Sequence, residues 1–343
     1  MRVVVIGASG NVGTAVLRRL RDDPTVTSLV GVARRVPRRT PPPPYDTADW
    51  HGVDIGERGP DGPVVERLRR VFAGADAVVN LAWLIQPSHD RDQLRRVNVD
   101  GMRRVLGAVV EARVPHLVVA SSVGAYSPSY SDEPRDEEWD TGGVRSSDYS
   151  VDKVAVERLL DEAELRHPTL TIARLRPALV FQHAAGHEIK RYFLGPFVPA
   201  GLLDNRLPVL PWPAGLRVQA VHADDLADAY REAVVRQARG PYNIAGPGVI
   251  RAADVADVLS RGRWREVPHA PVRTALQLAW HARLAPIGPG WFDLAASVPV
   301  LDTERAERQL GFHPRYTGVQ AMRQLVAGIA RGAGTASPPM RPR

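Results

Sequence analysis

The stretch Arg2-Val3-Val4-Val5-Ile6-Gly7-Ala8-Ser9-Gly10-Asn11-Val12-Gly13 decides how this 343-residue chain folds. Its first five residues form a short β-branched run, which is typical of a strand buried on both faces. Gly7, Gly10 and Gly13 follow, and residues 14–20 carry apolar side chains at helical spacing. A strand, a glycine turn and a helix in this order predict a site where the backbone approaches a dinucleotide pyrophosphate, which rests on the amides at the helix N-terminus.

The same alternation of strands and helices continues along the first half of the chain. The pattern predicts strands near 28–33, 50–54, 75–81, 116–121 and 170–175, and helices near 61–72, 91–113 and 147–166. This order predicts an α/β fold with a Rossmann-type doubly wound parallel sheet. Beyond Pro177, proline and glycine break the rhythm, which indicates a smaller C-terminal substrate-binding lobe.

These patterns divide the chain into three parts. We expect a dinucleotide-binding Rossmann domain over 1–177, with segments near 216–245 returning to it. The substrate-binding lobe is expected over most of 178–330. The last residues, 331–343, are expected to form a flexible tail.

Composition excludes several classes of protein. The chain has no cysteine and a net charge of +7, and 44% of its residues are hydrophobic. Its arginines are scattered among acidic residues and form no basic block with aromatic stacking residues, so we expect no nucleic-acid partner. The sequence opens on a predicted strand and has no apolar run long enough to span a bilayer, so we expect neither a signal peptide nor a membrane span. We therefore expect a cytoplasmic protein with no membrane partner.

Tyr149 and Lys153 form a second informative pattern. Lys153 and Lys190 are the only lysines among 45 basic residues, so a lysine at position 153 suggests a need for an ammonium group. Residues four apart share a helix face, so the phenol and the ammonium can meet one target. A cation beside a phenol lowers its pKa towards the working range of a proton donor. Such a pair could donate a proton, but the spacing alone equally fits a surface tyrosine and a solvated lysine on an amphipathic helix.

With these elements placed, residues 1–330 resemble the extended short-chain dehydrogenase/reductase superfamily, in its NAD-dependent epimerase/dehydratase branch. The resemblance rests on motifs in one order along the chain. They are Gly7/Gly10/Gly13, Asp54-Ile55, Asn80-Leu81-Ala82, Asn98-Val99-Asp100-Gly101, Ser121 to Tyr126, Tyr149/Lys153, Arg176-Pro177-Ala178, Val221 to Ala227 and Leu310 to Pro314.

The resemblance implies a Ser-Tyr-Lys catalytic group and a dinucleotide site. Ser122 would hydrogen-bond the substrate oxygen, Tyr149 would transfer the proton, and Lys153 would lower the pKa of Tyr149 and hold the nicotinamide ribose. The cofactor-binding residues expected from the motifs are Gly7, Ser9, Gly10, Asn11, Val12, Gly13, Arg34, Arg35, Asp54, Ile55, Leu81, Ala82, Asn98, Tyr149, Lys153 and Pro177.

The end of the second predicted strand bears on the choice of cofactor. An acid there would accept the 2′-hydroxyl of NAD, whereas arginine accommodates the 2′-phosphate of NADP. The chain has Ala33-Arg34-Arg35 and no acid at this point. We therefore expect a preference for NADP, mainly through Arg34, with NAD remaining possible.

Departures from the family pattern narrow the expected reaction. Sugar-nucleotide dehydratases of this branch carry Thr-Asp-Glu after the serine, whereas this chain has Val123-Gly124-Ala125 after Ser122 and no acid there. Epimerases usually have an asparagine after the sixth strand, whereas this chain has Arg176-Pro177-Ala178, as the carbonyl reductases do. The leading expectation is an oxidoreductase interconverting a carbonyl and a secondary alcohol. The alternatives are a sugar-nucleotide epimerase with tightly bound cofactor and a non-catalytic NADP-sensing regulator.

Partners and metals complete the expectations. The lobe is rich in aromatic residues that suit a small, rather apolar substrate: Tyr192, Phe193, Phe197, Trp212, Trp280, Trp291 and Phe292. His183 and His187 are four apart, but the sequence offers no evident third ligand, so we expect no metal. Family members often dimerise through the helices at 91–113 and 147–166, which makes a homodimer an open possibility.

Overall fold

The computed structural model describes residues 1–37, 41–195 and 205–342, so Phe197 lies outside the described residues. The strands in these ranges are β1 (Arg2–Ile6), β2 (Ser28–Ala33), β3 (Asp49–Gly52), β4 (Ala77–Asn80), β5 (His116–Ala120), β6 (Thr171–Pro177), β7 (Leu179–Phe181), β8 (Leu210–Pro213), β9 (Ala220–His222), β10 (Gly240–Ile244) and β11 (Trp264–Val267).

The helices flank the strands in the expected alternation. In the same ranges they are α1 (Asn11–Arg21), α2 (Asp61–Phe72), α3 (Arg91–Arg95), α4 (Gly101–Glu111), α5 (Asp148–Arg166), α6 (Gly186–Ile189), α7 (Ala223–Val235), α8 (Ala252–Leu259), α9 (His269–His281), α10 (Pro289–Ser297), α11 (Glu304–Leu310) and α12 (Gly318–Arg331). A π-helical turn at Lys190–Leu194 continues α6.

Seven strands form one parallel sheet in the order β10-β6-β5-β4-β1-β2-β3. The order reverses between β1 and β4, so the carboxyl ends of these two strands border a crevice where such sheets bind ligands. This arrangement confirms the predicted doubly wound α/β fold. The returning segment supplies β10 as the seventh strand, which pairs with β6 from Gly240 opposite Ala173 to Ile244 opposite Pro177.

The β1 run explains the two-layered core. Val3 and Val5 pack with α1 and α7 on one face of the sheet, and Val4 and Ile6 pack with α2, α4 and α5 on the other. All four side chains are buried, because a parallel strand covered by helices on both faces needs apolar residues at every position.

The predicted helix at 91–113 is interrupted. A π-helical turn, Arg96–Asp100, joins α3 to α4. Asn98 lies in this turn, and its side chain accepts a hydrogen bond from the Leu84 amide at 2.8 Å. The apolar residues before and after this turn each keep helical spacing, so the sequence pattern predicts a single helix.

The expected flexible tail is instead packed. After α12 ends at a left-handed Gly332, the chain folds back so that Ser337 and Met340 are fully buried. Met340 joins a small core with Ala185, Leu325 and Ile329. A single apolar residue among prolines has no periodicity, so this packing leaves no recognisable pattern in the sequence.

No helix in the described ranges has the length and apolar character needed to cross a bilayer.

Candidate functional site

The glycine turn has the shape of a pyrophosphate cradle. Gly7 has a φ of +79°, and a Cβ on it would lie 2.8 Å from the Ala82 amide nitrogen. A Cβ on Gly13 would lie 2.3 Å from the Gly7 carbonyl oxygen. Helix α1 begins after Gly10, which has no side chain to cap it, so its first amides face the turn. These features fit a dinucleotide whose pyrophosphate rests on the helix N-terminus.

Two openings meet above this turn. The outer crevice, of about 190 Å³, is lined by nine of the predicted cofactor residues: Gly7, Ser9, Gly10, Arg34, Arg35, Asp54, Ile55, Leu81 and Ala82. The inner cavity, of about 300 Å³, is lined by Gly7, Gly10, Asn11, Val12, Gly13, Leu81, Ser122, Tyr149, Lys153 and Pro177. Because Gly7, Gly10 and Leu81 line both, the two spaces adjoin at the turn.

Asn98 differs from the other predicted cofactor residues. Its amide oxygen accepts from the Leu84 amide, and its amide nitrogen donates to the Leu84 carbonyl at 3.3 Å. It lines neither the outer crevice nor the inner cavity. Asn98 therefore holds the loop after β4 in place, and its contact with the cofactor stays a prediction.

Tyr149 lies deep in the inner cavity between two indole rings. Its ring centroid is 5.7 Å from that of Trp83 and 4.9 Å from that of Trp291. Burial raises the pKa of Tyr149 to about 12, and a hydrogen bond with Ser122 acts in the opposite direction. The expected lowering of this pKa is therefore wrong in direction, because loss of water outweighs the nearby polar groups.

Lys153 explains why that expectation failed. Its ammonium donates a hydrogen bond to the Ala120 carbonyl at 2.8 Å and lies 3.5 Å from the Trp83 ring centroid. It is 5.7 Å from the Tyr149 ring centroid. Burial lowers the pKa of Lys153 to about 7, while the Glu157 and Asp152 carboxylates oppose the shift. The ammonium is thus held by a carbonyl and an indole, with the phenol further away.

A buried ion pair joins the elements that carry Ser122 and Lys153. Arg176 donates to both carboxylate oxygens of Glu157, at 2.9 Å and 3.0 Å. Glu157 also accepts a 2.5 Å hydrogen bond from the Ser121 hydroxyl. These bonds tie the end of β5, the end of β6 and the middle of α5 together. They fix Ser122, which follows Ser121, relative to Lys153, which is one helical turn before Glu157.

Residues that were not predicted as site residues also line these spaces, and five of them are Trp83, Glu188, Tyr192, Trp291 and Pro339. Trp83 follows the predicted Ala82 directly, so its neighbourhood could have been inferred from the motif. The other four come from α6 and the turn after it, from α10 and from the tail. Nothing in their local sequence connects them to the glycine turn.

The inner cavity is largely apolar. Among the described residues that line it, Lys153 is the only basic side chain, Glu188 is the only acidic one, and none is an arginine. The rest are mainly aliphatic and aromatic, including Val180, Ile189 and Leu294. In a chain with so many arginines, this lining favours a substrate without a large negative charge.

Comparison with known proteins identifies the family. The model of the NAD dependent epimerase/dehydratase family matches residues 3–245. The chain belongs to this family, which confirms the resemblance drawn from the motifs and indicates an enzyme of the NAD-dependent epimerase/dehydratase class.

Solved structures share the fold. The UDP-glucose 4-epimerase of Thermus thermophilus, in complex with NAD, is 19% identical, with 97% of this chain and 100% of that chain covered and a TM-score of 0.70. DesIV, a dTDP-glucose 4,6-dehydratase of Streptomyces venezuelae with NAD bound, is 19% identical, with coverage of 96% and 97% and a TM-score of 0.68. At these identities the likeness is one of fold.

A relative by sequence is an uncharacterised protein of Sinorhizobium fredii. It is 26% identical over 288 residues, which make up 80% of this chain and 70% of that protein.

Proposed function

We propose that this protein is an NADP-dependent oxidoreductase that interconverts a carbonyl and a secondary alcohol in a neutral, largely apolar substrate. The observation that carries the proposal is that Ser122, Tyr149 and Lys153 line one apolar cavity, which is continuous with the glycine turn.

Each group has a distinct role in this proposal. When bound, the dinucleotide supplies a hydride to the carbonyl carbon, or accepts one in the reverse direction. The Tyr149 phenol donates its proton to the substrate oxygen as the negative charge develops there. The Ser122 hydroxyl donates a hydrogen bond to the same oxygen. The Lys153 ammonium stabilises the phenolate that the proton transfer leaves behind.

The raised pKa of Tyr149 sets the protonation state in which reduction begins. A phenol whose pKa is about 12 is protonated at neutral pH, so it begins the cycle able to donate. Reduction leaves the same buried phenolate from which oxidation would start, so Ser122 and Lys153 must offset the cost of that charge in both directions.

The charge of the lining argues against a sugar nucleotide. A diphosphate calls for cationic groups, and guanidinium groups match phosphate oxygens especially well. Among the described residues that line the inner cavity, Lys153 is the only cation. The sequence of residues 196–204, Pro-Phe-Val-Pro-Ala-Gly-Leu-Leu-Asp, contains no basic residue. The absence of an acid in Val123-Gly124-Ala125 likewise gives no group for water elimination.

Turnover of NADPH with a panel of neutral apolar ketones and aldehydes tests the proposal. We expect Tyr149→Phe to lower kcat/KM by roughly 10²–10⁴ while NADPH binding stays close to that of the wild type. Tyr242→Phe is the matched control, because its hydroxyl bonds Gln309 away from both cavities. Loss of NADPH binding together with activity in Tyr149→Phe would contradict the assigned role.

Two other outcomes would redirect the assignment. Dinucleotide that stays with the purified protein and is not consumed would favour an epimerase. Intact NADPH binding without turnover on any carbonyl would favour a regulator.

The choice of NADP rests on Arg34 and Arg35, which line the outer crevice as exposed residues. Neither forms an ion pair with a carboxylate among the described residues, so both guanidinium groups can receive a 2′-phosphate. A hydrogen bond to a charged group contributes about 1.5–3 kcal/mol.

We expect Arg34→Ala to weaken NADPH binding by roughly 10–100-fold and to leave NADH binding unchanged. The measurement is a fluorescence titration with each cofactor. Arg166→Ala is the control, because Arg166 is an exposed arginine at the end of α5. Equal affinity of the wild type for NADPH and NADH would refute the preference.

A further inference from the structure

The C-terminal tail contacts several segments around the glycine turn. On the turn itself, the Ser337 hydroxyl donates to the Ser9 carbonyl, and the Thr14 hydroxyl lies 3.6 Å from the Met340 sulfur. Ser337 and Met340 are both fully buried. The tail is therefore seated against the N-terminal end of α1, where the pyrophosphate cradle lies.

The tail is also hydrogen-bonded to α6 and to the π-helical turn after it, which line the crevice. The His187 amide donates to the Ala333 carbonyl at 2.8 Å, and the Arg191 guanidinium donates to the Pro339 carbonyl at 3.0 Å. His187 and Arg191 belong to α6 and the turn after it, which carry Glu188 and Tyr192 into both spaces. The tail thus links α6 and the turn after it to the glycine turn.

A third contact reaches the loop before β3. The Tyr45 hydroxyl donates to the Thr335 hydroxyl at 2.8 Å, and it also lies 2.9 Å from the Thr14 hydroxyl. Pro339 itself lines the outer crevice beside Arg34 and Arg35. A dinucleotide in the crevice would therefore have the tail as part of its wall.

We propose that residues 333–340 are a clasp for the dinucleotide: the segment closes the wall of its site and slows its dissociation. The inference needs only dinucleotide binding at the glycine turn, which the proposed function shares. It does not depend on the reaction or the substrate. The clasp acts on dissociation because its contacts join the glycine turn to α6 and the turn after it. These two elements must separate to release a bound molecule.

Stopped-flow displacement of bound NADPH tests the clasp, with NADH run in parallel. We expect a chain ending at Arg331 to release the dinucleotide about tenfold faster or more. A chain ending at Met340 is the matched control, because it loses only residues 341–343 and keeps every contact described above. A dissociation rate that is the same in both truncations would overturn the proposal.

A second variant guards against misfolding of the shorter chain. Met340→Asp places a carboxylate in the buried site of the Met340 side chain and should release the tail without removing it. We expect the same acceleration of NADPH release. In the full-length protein, NADPH should also slow tryptic cleavage after Arg331. Unchanged release in Met340→Asp, or cleavage that NADPH does not affect, would overturn the clasp.

The outcomes separate the two proposals. A protein that binds NADPH, releases it faster on truncation and reduces no carbonyl would retain the clasp and lose the proposed function. A protein that reduces carbonyls and releases NADPH at the same rate after truncation would retain the function and lose the clasp.

Discussion

The environment of Tyr149 shows how a residue's chemistry depends on distant parts of the chain. The spacing of Tyr149 and Lys153 predicts that both side chains lie on one face of α5, and both line the inner cavity. The spacing could not reveal that the Lys153 ammonium would lie over the Trp83 ring, 3.5 Å from its centroid, in the loop after β4. Pairwise spacing predicts which residues share a face, whereas the pKa depends on every group that covers them.

Glu188 gives a pH-dependent test at the same scale. This carboxyl is buried, and burial raises its pKa to about 7, while Arg191, Tyr192 and Arg35 oppose the shift. A carboxyl with a raised pKa binds its proton more tightly in the folded state. Its contribution to stability is therefore fully present below its ordinary pKa and is lost as the pH rises towards about 7.

We expect Glu188→Gln to remove this loss. The variant should gain on the order of 1–3 kcal/mol of unfolding free energy relative to the wild type at about pH 8, and little at about pH 4.5. Urea denaturation at the two pH values measures the difference. Glu162→Gln, at an exposed position, should show no such dependence. A gain of equal size at both pH values would contradict the assignment of Glu188 as the titrating group.

At the scale of elements, two glycines of the turn meet different requirements: Gly13 is needed for packing, and Gly10 for the approach of a ligand. A Cβ on Gly13 would meet the Gly7 carbonyl at 2.3 Å, whereas the nearest atom to a Cβ on Gly10 is the same oxygen at 3.4 Å. Gly13 is therefore needed for the turn to pack against α1. Gly10 tolerates a methyl group in the folded chain, but it lies where a pyrophosphate approaches.

Alanine at these two positions should have different effects. We expect Gly13→Ala to destabilise the protein by about 1–3 kcal/mol through overpacking. We expect Gly10→Ala to keep its stability and lose most of its affinity for NADPH. Thermal unfolding and NADPH titration of both variants make the comparison. Similar losses of stability in the two variants would contradict this division of roles.

The boundaries of elements were predictable to differing degrees. Helix α2 spans Asp61–Phe72, as the pattern predicts, because its apolar face and its flanking proline and glycine are local features. The π-helical turn at Arg96–Asp100 was not predictable. Asn98, within this turn, bonds Leu84, and only the fold brings these two residues together.

At the scale of the whole molecule, the doubly wound sheet followed from the order of the elements. Strand–helix alternation and right-handed crossovers leave few topologies open, and β1 through β6 lie in the order of a doubly wound sheet. The path of the chain after Pro177 did not follow, because short elements and isolated apolar residues have no period. Met340, buried at the far end of the chain, is the clearest case.

The central claim is that Ser122, Tyr149 and Lys153 act together on a substrate beside a dinucleotide bound at the glycine turn. A crystal structure of the protein with NADP tests it most directly. The account predicts that the pyrophosphate lies on the first amides of α1 and that the nicotinamide lies in the inner cavity, within hydrogen-bonding reach of Tyr149 and Lys153. A nicotinamide lying outside that cavity, with these side chains facing away from it, would contradict the account.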